Sequence, residues 1–216
     1  KAMDNIVTNK ASRWVPMGIV FISINYPMLP AANPLQQAQY VARAIAYIRA
    51  HAAQWGGDST QVVLMGHSAG AHLIALVASS PAMTASVGAD PWRGVVLLDS
   101  GALDVEAIMR APHLPLYNQA FGRDPSAWHT MSPLDVLAGR GAPMLAVCSS
   151  QRRLSCPDAR RFAQKGAALG RRIEVAPEDL THEQINETLG TPGAYTDRVE
   201  QFLRSLDDTW ARVLAR

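Results

Sequence analysis

The sequence predicts an α/β protein: a mostly parallel sheet with helices on both faces. Short runs rich in Val, Ile and Leu alternate with longer stretches that carry helix-period apolar faces. The runs are apolar throughout rather than at every second position, as in strands buried on both sides. The 216 residues, 48% apolar and 18% charged, are enough for one sizeable core and too apolar for a disordered chain.

Residues 18–25 (GIVFISIN) read as the first buried parallel strand. Pro34 then opens a helix, since proline's missing N–H costs nothing in a first turn. Ala38, Val41, Ala42, Ile45 and Ile48 share one face of it, and Gly56-Gly57 ends it. Residues 61–65 (QVVLM) form the next strand, 66–70 a tight turn, and a helix follows to about Ser79. Further strands are expected at 94–98 (GVVLL), 143–147 (PMLAV) and 172–175 (RIEV), with a helix over 157–169 between the last two. A short helix over 183–189 precedes a final one from about Tyr195 past Leu206, with Val199, Phe202, Leu203 and Leu206 inward.

Residues 100–142 break the rhythm with Pro112, Pro115, Pro125 and Pro133, and with His113, Trp128 and His129. So long an excursion between two strands predicts a small cap over the carboxyl ends of the sheet. No repeat or low-complexity linker divides the chain, so residues 1–216 read as one domain.

Composition closes off several classes. Net charge is +2 and the basic residues are scattered apart from pairs such as Arg152-Arg153 and Arg160-Arg161, so no stripe suits nucleic acid or an anionic membrane. No apolar run approaches the ~20 residues of a membrane span. The longest, 15–24, is interrupted by Pro16, Gly18 and Ser23, and no signal peptide is visible. Cys148 and Cys156 are too few for a metal cluster, and no metal or organic cofactor is expected. They are two free thiols or a short disulfide; compartment decides between these, and the sequence does not show it.

Gly66-His67-Ser68-Ala69-Gly70 carries the chemistry. It is Gly-x-Ser-x-Gly directly after a strand and before a helix. Such a reversal strains the serine backbone, and side chains two residues to either side are expected to collide. It lifts the Ser68 hydroxyl above the sheet and sets the helix N-terminus and the Ala69 N–H beside it, where a developing oxyanion would be held. A serine needs a base. Of the six histidines, His182 follows the last strand by a short loop, where chain order serine, acid, histidine places the base. His67 is expected to line the site and His72 to pack, while His113 and His129 lie in the cap.

The acid that orients the imidazole belongs after the strand ending near Val147. Residues 148–157 (CSSQRRLSCP) hold no carboxylate, and the first one met is Asp158, the expected acid. Asp104 and Asp99, after the preceding strand, are the alternatives.

These residues resemble a known group. The run Ile22-Ser23-Ile24-Asn25-Tyr26, then Pro30 and Pro34, Trp55-Gly56-Gly57-Asp58, and Val63 through Leu73 with the Ser68 turn, are similar to bacterial carboxylesterases of the α/β-hydrolase superfamily. The branch is that of arylformamidases and hormone-sensitive-lipase-like esterases. Leu180-Thr181-His182-Glu183-Gln184-Ile185-Asn186 with Leu189-Gly190 resembles their histidine loop.

The resemblance implies cleavage of small carboxylic esters through an acyl-enzyme, with formamide or amide cleavage as a variant. It also implies an upstream His-Gly-Gly-Gly stretch that completes the oxyanion hole. The sequence lacks that stretch, and the early strands of the family sheet are expected to be missing with it. The strand edge so exposed would favour pairing of two copies. A contrasting reading is a degenerate hydrolase fold that binds or assembles without turnover.

Overall fold

The computed structural model describes residues 4–89 and 91–215. Four strands, β1 (Val63–His67), β2 (Gly94–Leu98), β3 (Met144–Ser149) and β4 (Ile173–Glu178), form one parallel sheet in the order β1-β2-β3-β4. The helices in chain order are α1 (Asp4–Trp14), α2 (Pro34–His51), α3 (Ala69–Ser79), α4 (Pro81–Ala85), α5 (Val105–Arg110), α6 (Pro115–Phe121), α7 (Pro125–Met131), α8 (Ser155–Ala168), α9 (His182–Glu187), α10 (Ala194–Arg204) and α11 (Asp208–Val213).

Alternate side chains of the central strands divide the core in two. Val95, Leu97, Met144, Ala146 and Cys148 pack under α2, α3 and α8, around Ala38, Val41, Leu73, Leu76 and Phe162. Val96, Leu98, Leu145 and Val147 face the other way, onto Trp14, Ile185, Val199, Phe202 and Trp210 from α1, α9, α10 and α11. With both faces covered, β2 and β3 are buried along their whole length, as the unbroken apolar runs required.

Pro34 starts α2 behind Asn33, which caps it reciprocally with Gln36. A 3₁₀ turn, Ala52–Trp55, follows, and Gly56 takes up φ 75° to end it. Between β2 and β3, in the stretch expected to form a cap, lie α5, α6 and α7, which close on Ala102, Val105, Met109, Phe121, Trp128 and Met131.

Three expectations need correction. Residues 18–25 form no regular element and join no ladder among the described residues. Ile19 and Phe21 pack toward one core and Ile24 and Tyr26 toward the other, while Val20 and Ile22 are exposed. The alternation of a strand is there; the hydrogen-bonded neighbour is not. The last helix is two, because Asp207 caps a new start through Thr209 N and Trp210 N. Finally, α1 was not foreseen. It is held by Arg13 and Trp14, which both donate to the buried carboxylate of Glu200, and by Lys10, which donates to the carbonyl of Asn186.

Candidate active site

The strand-to-helix turn occupies a single residue. β1 runs through Gly66 to His67, α3 begins at Ala69, and Ser68 alone makes the reversal at φ 55°, ψ −117°. That conformation costs on the order of 1–3 kcal/mol and persists because its surroundings fix it. The Ser68 N–H continues the sheet by donating to Leu98 O at 3.0 Å, and Ser68 O accepts the N–H of His72 at 3.1 Å. Of the two glycines, Gly66 is sterically required, since a Cβ there would lie 2.5 Å from Gly70 O. A Cβ on Gly70 meets nothing within 4 Å, so the expected collision exists on one side only.

Thr181 caps α9 reciprocally with Gln184, and this sets His182 at its first turn. His67 Nε2–H donates to the backbone carbonyl of His182 at 2.8 Å, with the two rings 4.4 Å apart. Burial pushes the His67 imidazole down to about 4, so it stays neutral and serves as a brace. His182 Nε2 then lies 2.9 Å from Ser68 Oγ, placed to accept its proton.

On the far side, His182 Nδ1–H donates to Asp99 Oδ2 at 2.6 Å. The carboxylate facing His182 is thus Asp99, not the expected Asp158. Asp158 sits on the first turn of α8 and binds Arg161 at 2.6 Å; Arg161 also pairs with Asp104 at 3.1 Å, and Asp104 caps α5. Both are committed away from the imidazole. The reason lies in the register. β1 and β2 pair His67 with Leu98, so the next residues, Ser68 and Asp99, leave adjacent strands at one level. Among the described residues only these two non-glycines have positive φ, 55° and 52°.

Burial alone would raise the Asp99 carboxyl; hydrogen bonds from Ser149 N, Ser155 Oγ, His182 and Arg152 outweigh it and hold the group below the usual carboxylate range. Ser149 N donates at 2.9 Å, and Ser155 Oγ donates to the same Oδ1. Arg152 Nη1 donates to Oδ2 at 2.6 Å. Nη1 also lies 3.1 Å from His182 Nδ1; both nitrogens carry hydrogen aimed at one oxygen, so this is a shared acceptor rather than a bond between them.

The loop of residues 149–155 therefore offers donors where a carboxylate was sought. A disulfide between Cys148 and Cys156 clasps it, which settles the pairing left open by the sequence. Its place one residue past an apolar strand made Asp99 an alternative; what the sequence did not show is that this strand lies in register beside the serine strand.

Ala69 N–H, at the start of α3, finds no acceptor among the described residues and stands beside Ser68. His72 is buried in α3, donates Nδ1–H to Ala102 O at 2.7 Å, and is pushed by burial down to about 4. His113 and His129 stay on the cap surface, His113 on Asn118 and His129 on Asp135.

A family model described as BD-FAE matches residues 1–94. The esterase LipQ of Mycobacterium tuberculosis (strain ATCC 25618 / H37Rv) is 31% identical over 147 residues, 63% of this chain and 35% of LipQ. The probable carboxylic ester hydrolase LipM of the same organism is 34% identical over 70 residues, 32% of this chain and 16% of LipM. The chain thus spans about a third or less of the length of these curated relatives.

Among solved structures, a truncated carbohydrate esterase from gut microbiota superposes with TM-score 0.74 at 16% identity, covering 95% of this chain and 78% of that one. Esterase 2 of Thermogutta terrifontis, phosphoramylated by tabun, gives TM-score 0.72 at 19% identity, covering 93% and 76%. With a parallel sheet wrapped on both faces, a Gly-x-Ser-x-Gly turn at its carboxyl edge and these structural neighbours, the chain has the α/β-hydrolase fold.

Proposed function

We propose that the protein is a serine ester hydrolase that cleaves small carboxylic esters through an acyl-enzyme. The observation that carries the reading is the continuous chain Ser68 Oγ, His182 Nε2 at 2.9 Å, and His182 Nδ1 to Asp99 Oδ2 at 2.6 Å. A serine hydroxyl in contact with an imidazole that is itself oriented by a buried carboxylate is an activated nucleophile.

Ser68 Oγ attacks the ester carbonyl carbon as its proton passes to His182 Nε2. Asp99 holds the imidazole in the tautomer that leaves Nε2 free to accept, and stabilises the imidazolium that results. The carbonyl oxygen, now negative, is held by the Ala69 N–H at the start of α3. Collapse breaks the carbon–oxygen bond, and the leaving alkoxide takes the proton from His182. Water then attacks the acyl-serine and gives a proton to His182, the acid departs, and Ser68 recovers its hydrogen. The curated relatives bear the names esterase and probable carboxylic ester hydrolase, and structural neighbours are esterases modified by tabun and by paraoxon; these support the reading.

The assembled array leaves the non-catalytic assembly reading without a favouring observation. The test is turnover of p-nitrophenyl acetate by the purified protein and by Ser68→Ala, with fluorophosphonate labelling of each. The expected outcome is turnover and labelling that both vanish in Ser68→Ala. Equal rates in the two proteins would end the proposal.

A further inference from the structure

Arg152 stands beside the array with its hydrogen bonds all at one end. Nη1 holds Asp99, through Oδ2 at 2.6 Å and the backbone carbonyl at 3.4 Å. Nε and Nη2 have no acceptor among the described residues, and the side chain remains 36% exposed. A guanidinium is a planar fork of five donors, so most of this one is unspent.

Gly101 defines what the free end faces. A Cβ at that position would lie 3.0 Å from Arg152 Nη2 and 3.3 Å from Tyr117 Oη. Gly101 does not need glycine for its backbone angle, since its φ is not positive; here the missing side chain lets two donor groups come close to one point of the backbone. They are a guanidinium from the loop after β3 and a phenol from α6 of the cap. Tyr117 Oη also has no partner among the described residues, while its ring is fixed by stacking on Phe121 at 5.9 Å. Converging donors with no acceptor, one of them cationic, suit a carboxylate, which only accepts and takes a guanidinium fork well.

The electrostatics of the array favour the same ligand. Arg152 and His182 share Asp99 Oδ2, so the guanidinium offsets the carboxylate charge that would otherwise stabilise the imidazolium. An anion bound by the unspent donors of Arg152 and Tyr117 offsets the guanidinium in turn and returns that stabilisation to His182. We infer that Arg152 and Tyr117 form a carboxylate subsite, so that the preferred substrates are esters carrying a second, free acid group.

The inference rests on the ester-hydrolase reading and is tested on matched pairs. On the acyl side, mono-4-nitrophenyl adipate is compared with 4-nitrophenyl hexanoate; on the alcohol side, 4-acetoxybenzoate is compared with 4-acetoxybenzamide. The wild-type protein should favour the anionic member of at least one pair by about tenfold or more in kcat/KM, with part of the gain in kcat. The preference should shrink toward parity in Arg152→Gln and in 0.5 M salt (roughly a 4 Å Debye length). Tyr117→Phe, which leaves Asp99 and His182 untouched, should lower it several-fold.

The ratio, not the rate, is the readout, so a variant that is merely slower still reports. If Arg152→Gln fails to fold, Tyr117→Phe and the salt series decide. Parity in both pairs in the wild-type protein, with fluorophosphonate labelling of Ser68 intact, would overturn the subsite and leave the hydrolase reading standing. Absence of labelling and turnover together would remove both.

Discussion

Asp99 and Asp158 offer the sharpest contrast between what a side chain can do and where it sits. Asp99 has its oxygens occupied by four donors and faces His182. Asp158, half a loop away, spends its charge on Arg161. Asp99→Asn should lower kcat for p-nitrophenyl acetate by about 10⁴-fold, because an amide favours the wrong imidazole tautomer. Asp158→Asn should change it by less than about threefold, as a partly exposed ion pair contributes little. A steady-state comparison of the two variants decides, and the reverse ranking would return the acid to α8.

Ser68 and His182 were legible in the sequence because each depends on a local requirement. The turn needs glycine at 66, and the histidine needs a short loop after a strand. Asp99 was named as an alternative only, because its role comes from sheet register, which pairs residues about thirty positions apart. Arg152 shows in the sequence only as half of a basic pair, since no spacing rule reveals that a loop has replaced its carboxylate by donors.

At the scale of elements, the cysteine-bounded loop is the part that makes Asp99 usable. Ser149, Arg152 and Ser155, which supply all the contacts to its carboxylate other than that of His182, lie between Cys148 and Cys156. Converting both cysteines to serine should lower stability by about 2–3 kcal/mol through the freed loop alone. It should also depress kcat more than KM, because the loop positions the acid rather than the ester. Urea unfolding and steady-state kinetics of the double variant read the two effects separately; a stability loss with unchanged kcat would show that the loop holds its shape without the clasp.

The four ladder strands and the long helices α2, α3 and α8 were legible, since their apolar runs and faces are written within one stretch of chain, whereas α1 and the break between α10 and α11 were not. The segment at 18–25 misled because β-branched, two-faced patterning is necessary for a strand but not sufficient: a ladder needs a neighbour. The acid-loop disulfide could not be read from two cysteines eight apart.

For the molecule as a whole, buried imidazoles set the response to acid. His67 and His72 have folded values near 4, against about 6.5 for a free imidazole. Between these limits the unfolded chain binds protons that the folded chain refuses. Stability is therefore full above about pH 6.5 and falls as pH drops toward 4. Asp99, held low, adds its own loss only below the ordinary carboxylate range. Unfolding free energies from urea titrations should drop between pH 7.5 and 5, by about 2 kcal/mol for the buried His72 alone. His72→Gln, which keeps a donor for Ala102, should flatten part of that slope; an identical slope in the variant would locate the acid sensitivity elsewhere.

The unladdered stretch around Ile22 has a practical consequence. Val20 and Ile22, 42% and 41% exposed, present β-branched side chains on backbone with no ladder partner among the described residues. Such a surface is a template for another chain in the same state, and natural sheets guard it with charge. Ile22→Lys should act as a gatekeeper: less material lost to aggregates after heating and cooling, measured by light scattering, with ester turnover unaltered. How this protein behaves in a concentrated sample is then governed by a few residues outside the array of Ser68, His182 and Asp99.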